Sequence, residues 1–174
     1  MRDLCQANED LLRATPAALL SILLDHRIRL WERWAVDLYK TMNEIEIHLG
    51  MVPRDFQFHP PSEDRRKELA DVDVLNTEFA QIQVQICHGQ AMVASGVRLS
   101  RQCMEAIEAV EAVREKGGHL VLGQKALLED RFRSAEFLCQ SVLERFVDMG
   151  ERHKGLISMV SSEPRVLGEV CELA

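Results

Sequence analysis

Apolar residues recur along this chain at alternating steps of four and three, the spacing that keeps one face of an α-helix apolar. The first run is Leu24, Ile28, Trp31, Ala35, Leu38, Met42, Ile45 and Leu49. Thr15 suits the N-cap of this helix, Pro16 its first turn and Gly50 its C-terminal stop. Pro53, Pro60 and Pro61 follow, so residues 50–61 read as a loop. Ser62 then caps a second helix, with Glu63 and Asp64 favourably placed in its first turn. Its stripe is Leu69, Val72, Leu75, Phe79, Ile82, Ile86, Val93, Val97, Met104, Ile107 and Val110, and it runs to about Lys116 before Gly117 and Gly118. Gly89 and Gly96 cost about 1 kcal/mol each against alanine inside a helix, which marks them as places to bend or break. The run IQVQI, residues 82–86, also alternates as a strand would, but the helical period continues on both sides. The third seam is Leu128, Phe132, Ala135, Cys139, Val142, Phe146, Met149, His153, Leu156 and Val160. Ser161, Ser162 and Pro164 interrupt it, and Arg165 to Leu173 reads as a short continuation.

This pattern predicts an all-α chain forming one domain over residues 1–174. Helices are expected at about 15–49, 62–116 and 120–161, with a short tail helix at 164–173. At about 1.5 Å per residue the three long ones would measure roughly 50, 80 and 60 Å. Each has a narrow apolar seam, not an apolar girth. Long helices with short connections fold back on one another. The expected fold is an elongated antiparallel three-helix bundle with coiled-coil-like helices.

Composition agrees. Aromatics make up 5% of the 174 residues and there are nine glycines, fewer than an all-β domain would want. A net charge of −7 argues against nucleic acid or an anionic membrane surface as partner. The five cysteines (Cys5, Cys87, Cys103, Cys139, Cys171) are odd in number and widely spaced. The opening residues MRDLCQANED are charged and polar, unlike a signal peptide. Both features point to reduced thiols and a cytoplasmic protein. No apolar run reaches the ~18 residues of a membrane span. Membrane attachment is therefore expected only if the natural chain continues past Ala174 into apolar spans.

Candidate chemistry is sparse. GHLVLGQK, from Gly118, approaches a phosphate-binding loop, but Gln124 stands where lysine is needed and no strand precedes it. It reads as an interhelical turn. None of the six histidines has a glutamate three residues before it, and HExxH and CxxC are absent. His153 falls on the third seam and reads as a core or boundary histidine. Trp31, Trp34 and Tyr39 cluster on the first helix, where core packing competes with an aromatic docking patch. Glu105, Glu108, Glu111 and Glu115 form an acidic strip on the second helix. It reads as a solvated face; alternatively, Glu105, Glu108 and Glu111 are the candidate contacts for a weakly bound Mg²⁺ completed by a second subunit. No resident cofactor is implied. Serine and cysteine nucleophiles lack a visible acid–base partner, so a non-enzymatic role is expected.

Two stretches carry a family resemblance. LWERWAVDLYKTMNEIEIHLG, residues 30–50, resembles the tryptophan-bearing helix in the cytosolic part of fungal CorA-like magnesium transporters. There a W-x-x-Y/W-x-x-x-L helix precedes a polar or proline-bearing loop and a long second helix; Trp31, Trp34 and Leu38 fit that form. Residues 127–173, LLEDRFRSAEFLCQSVLERFVDMGERHKGLISMVSSEPRVLGEVCEL, resemble that family's last cytosolic helix, with Arg131 and Arg145 punctuating the seam. The polar Ser161–Glu163 stretch and the acidic Glu169–Glu172 segment match its approach to the first span. The family's Gly-Met-Asn signature is absent, and Gly50-Met51-Val52 is not its equivalent. Pro164 falls where the family's stalk is usually straight.

The resemblance implies a non-catalytic cytosolic domain with a regulatory or assembly role through helix–helix contacts. Cations would relieve repulsion between acidic helices of neighbouring subunits. The alternative is a free-standing spectrin-like or coiled-coil adaptor whose seam recruits a partner helix. In either case the expected partner is another protein or a second copy of the chain.

Overall fold

The computed structural model describes residue 9 and residues 18–53, 60–114 and 122–162. Among these it contains helices α1 (Ala18–His48), α2 (Glu63–Leu69), α3 (Val72–Arg114) and α4 (Leu122–Ser162), and no strand. The fold is an all-α bundle. Thr15, Pro16, the GHLV turn and the 164–173 tail helix lie outside the described residues.

The four-three periodicity is what becomes buried. Leu24, Ile28, Trp31, Ala35, Leu38, Met42 and Ile45 of α1 are all core residues, as are Leu128, Phe132, Ala135, Cys139, Val142, Phe146, Met149, His153 and Leu156 of α4. Gly50 ends α1 with φ +71, the left-handed conformation that glycine adopts without a Cβ penalty. Its N–H donates to the Ile47 carbonyl at 3.0 Å and the Met51 N–H to the Glu46 carbonyl at 2.9 Å, the two closing bonds of a Schellman motif.

The expected 62–116 helix is divided. Ser62 caps α2, its side chain accepting from the Arg65 N–H at 3.2 Å. That helix ends at Leu69, and a new one starts at Val72 because Asp71 offers a better local partner for the backbone. The Asp71 carboxylate accepts from the N–H groups of Asp73 at 2.9 Å and Val74 at 3.4 Å, an N-cap that starts α3. Val72, placed on the buried stripe by periodicity, is consequently exposed.

Gly89 and Gly96, the expected weak points, do not interrupt α3, which runs through both. Each is a site of close approach. A Cβ on Gly89 would sit 2.5 Å from Phe146 Cζ, and one on Gly96 would sit 2.8 Å from Trp31 Cζ3. The helix-propensity cost is offset by letting a ring lie against bare backbone. The IQVQI run is helical, with Ile82 and Ile86 buried and Val84 exposed. α4 continues through Ser161 and Ser162, where an interruption was expected.

The chain divides into two compact units. The first takes α1 up to Glu32, α3 from Ala91 and α4 up to Glu144. Its core gathers Leu24, Ile28 and Trp31 with Val93 and Val97 and with Phe132, Ala135 and Cys139. Arg101 of α3 pairs with Glu136 of α4, while Gly96 of α3 lies against Cys139, so these segments run antiparallel.

The second unit takes α1 from Arg33, all of α2, α3 up to Gln90 and α4 from Arg145. Gln90 Nε2 donates to the Phe146 carbonyl at 3.2 Å, and Gln83 lies against His153, so α3 and α4 are again antiparallel. Trp34 touches Phe146, and Glu46 pairs with Arg152, so α1 and α4 run in the same direction. α2 is held down by Arg65. Its guanidinium makes a two-pronged contact with Glu78 of α3 and reaches Glu44 of α1 and Glu68 of α2, both at 3.3 Å. The hydrogen bonds Arg65 donates to Glu78, reinforced by those to Glu68 and Glu44, hold it firmly in its charged form.

Candidate interaction groove

The acidic strip places Glu105 and Glu108 on the exposed side of α3. The Glu111 side chain and Glu115 lie outside the described residues. Among the described residues no three histidine, cysteine, aspartate or glutamate side chains converge as a metal site would require. Lys125, from the phosphate-loop near-match, is on the first turns of α4 and pairs with Glu129 at 3.5 Å.

Cys87, Cys103 and Cys139 are free thiols. Cys139 is buried in the first unit, and burial together with Asp25 and Glu136 pushes its pKa up to about 11. Its thiol is therefore a small core group, not a nucleophile. Asp25 is itself pushed above the usual carboxylate range by burial, with Arg131 and Arg29 opposing that shift.

His153 is a core histidine. It is 0% exposed, its Nδ1 lies 3.0 Å from Gln83 Oε1 and its ring meets Phe79 edge-on at 5.7 Å. Nε2 completes no hydrogen bond among the described residues. Burial pushes the imidazole pKa below its ordinary value, against the opposing effect of the Phe79 backbone carbonyl.

The aromatic cluster of α1 separates by depth. Trp31 is buried against Gly96 in the first unit. Trp34 is half-buried in the second; its indole N–H donates to Gln85 Oε1 at 3.3 Å and its ring meets Phe146 edge-on at 5.4 Å. Tyr39 is 48% exposed, with the Arg152 guanidinium 4.6 Å above its ring. Of the three, it is Tyr39 that faces outward.

Tyr39 also marks a surface depression of the second unit. Ala35, Val36, Tyr39 and Lys40 of α1 and Arg145, Asp148, Met149, Glu151 and Arg152 of α4 enclose a groove of about 700 Å³. Its lining is predominantly apolar, with charges along the rim. Because α1 and α4 run in the same direction here, the groove is the kind of trough into which another helix fits, ridge into groove. Most of the rim charges are already committed. Arg152 pairs with Glu46 and lies over Tyr39, Lys40 approaches Asp37 at 3.5 Å, and Glu151 accepts from Lys154 at 2.8 Å.

The sequence pointed to this groove only through Tyr39, one of the three aromatics weighed as a docking patch; Arg145 drew notice for another reason, and the rim becomes visible only once the pairing of α1 with α4 is known. No protein-family model, no curated protein and no solved structure matches the chain. None of the described helices is long and apolar enough to cross a membrane.

Proposed function

We propose that this chain is a non-catalytic helical module that acts by helix–helix association. The observation that supports this reading is the groove of about 700 Å³ between α1 and α4 of the second unit, where Ala35, Val36, Tyr39 and Met149 lie among charged residues. A single added helix would extend the three-helix packing to four, burying Val36 and the exposed side of Tyr39. Free thiols at Cys87, Cys103 and Cys139 suit a cytosolic setting. The test is a methyl NMR titration of Ala35, Val36 and Met149 with a synthetic amphipathic helix whose apolar edge carries one acidic and one basic residue. Shifts confined to these methyl groups are expected, and Val36→Lys should abolish them. Shifts scattered over the surface, or none at any peptide concentration, would refute the reading.

The succession of a tryptophan-bearing α1, a long α3 with Glu105 and Glu108 exposed and a long α4 supports a regulatory form of the same proposal, akin to the cytosolic region of CorA-type transporters. There Mg²⁺ would screen the acidic strip of adjacent copies and favour one assembly. Sedimentation with and without magnesium checks this form. A mass that ignores magnesium, in wild type and in the E105Q/E108Q/E111Q variant alike, removes it and leaves the helix-binding groove standing.

A further inference from the structure

Five charged residues line the groove, and three of them are satisfied within the chain: Lys40 by Asp37, Glu151 by Lys154 and Arg152 by Glu46. Arg145 and Asp148 are the two left over. They are of opposite sign, both exposed, and separated by three residues on α4, about one helical turn. Neither makes an ion pair or a side-chain hydrogen bond among the described residues, although residues three apart on a helix can reach each other.

An arginine followed by an aspartate one turn later is complementary to itself when reversed. If a second α4 lies antiparallel across the first, with a two-fold axis between positions 145 and 148, each Arg145 meets the Asp148 of the other copy. Such a contact is isologous: residue i touches residue j, and j touches i. The apolar floor of Ala35, Val36, Tyr39 and Met149 lies beside this pair, so closing the ion pairs also brings two apolar troughs together. Resting on the reading of the groove as a helix-association site, we propose that its occupant is a second copy of this chain, packed antiparallel through α4 and locked by two reciprocal Arg145–Asp148 pairs. A partner of different sequence would need only some charge opposite each residue. Only a second copy makes the required charges the same two residues.

The experiment is sedimentation velocity over a dilution series of the full chain. The variants are R145D, D148R and the double exchange R145D/D148R, each checked for unchanged helical circular dichroism. Wild type should dimerise. Each single reversal places like charges opposite one another at both ends of the contact and should weaken dimerisation roughly tenfold or more. The double exchange recreates the complementary pair with its signs swapped and should restore dimerisation to near the wild-type level. A heterologous partner, or a dimer made elsewhere on the surface, gives no such restoration. Wild type that stays monomeric throughout, single reversals without effect, or a double variant as weak as the singles would each overturn the proposal. A monomeric wild type that still binds the synthetic helix at Val36 would leave the groove's general role intact.

Discussion

Replacing Gly89 with alanine tests whether the core of the second unit is built around bare backbone. In an ordinary helix interior the change stabilises by about 1 kcal/mol, because alanine restricts the unfolded chain and favours the helix. Here the new methyl would lie 2.5 Å from Phe146 Cζ and 2.6 Å from Cδ1, well inside van der Waals contact. Phe146 has little room to retreat: it is 0% exposed and its ring is braced by Trp34 at 5.4 Å. Overpacking of this kind costs about 1–3 kcal/mol, and contact with three ring atoms argues for the upper end. The net expectation is destabilisation of roughly 1–2 kcal/mol. Gly155 supplies the opposite case, since nothing lies within 4 Å of its added Cβ. G155A should stabilise by about 0.5–1 kcal/mol. Urea unfolding followed by far-ultraviolet circular dichroism reads both. Adding Phe146→Leu should remove most of the G89A penalty, giving a coupling energy of about 1–3 kcal/mol in a double-mutant cycle. The reasoning fails if G89A unfolds at or above the wild-type midpoint, or if the two alanine variants shift it in the same direction.

Three more outcomes follow from the same contacts. The native state keeps His153 neutral, whereas the unfolded chain protonates it near the ordinary value of about 6.5; unfolding free energy should therefore be flat above that pH and fall as pH drops below it towards the lowered native pKa. Burial lowers His48 as well, so H153M should reduce this acid-side slope without abolishing it. A thiol-alkylating reagent should label exposed Cys87 rapidly and leave Cys139 unmodified in native protein, read by peptide mass spectrometry. R65A should release α2 from Glu78 and Glu44 at a cost of about 1–2 kcal/mol, seen as faster amide exchange confined to Glu63–Leu69.

Much of the architecture was legible because burial and periodicity coincide along α1 and α4. The four-three seam of α4 is the buried face from Leu128 to Leu156. The break between α2 and α3 escaped because Leu69, Val72 and Leu75 keep helical spacing across it; the overriding signal was the capping capacity of Asp71, a local preference that a hydrophobic count ignores. Gly89 and Gly96 read as weaknesses because propensity sees only the helix that holds a residue, not the Phe146 or Trp31 ring resting on it. The groove was illegible for a related reason. Whether Arg145 and Asp148 are satisfied depends on which side chains α1 brings near them, and that pairing is not encoded in the period of either helix. Glu105 and Glu108 were correctly placed on one exposed face, yet a shared face does not by itself make a cation site.

The notch at Gly89 also bears on how α3 finds its setting against α4. A hydrophobic seam repeats every turn, so by greasiness alone one helix could slide along its neighbour by three or four residues and remain contented. The Phe146 ring forbids that. Displaced by one turn, it would meet Ile86 or Met92, or Gln85 or Val93, each carrying the side-chain bulk that Gly89 lacks. A missing atom thus works as an index mark, selecting one alignment among several that a repeating pattern would leave nearly degenerate.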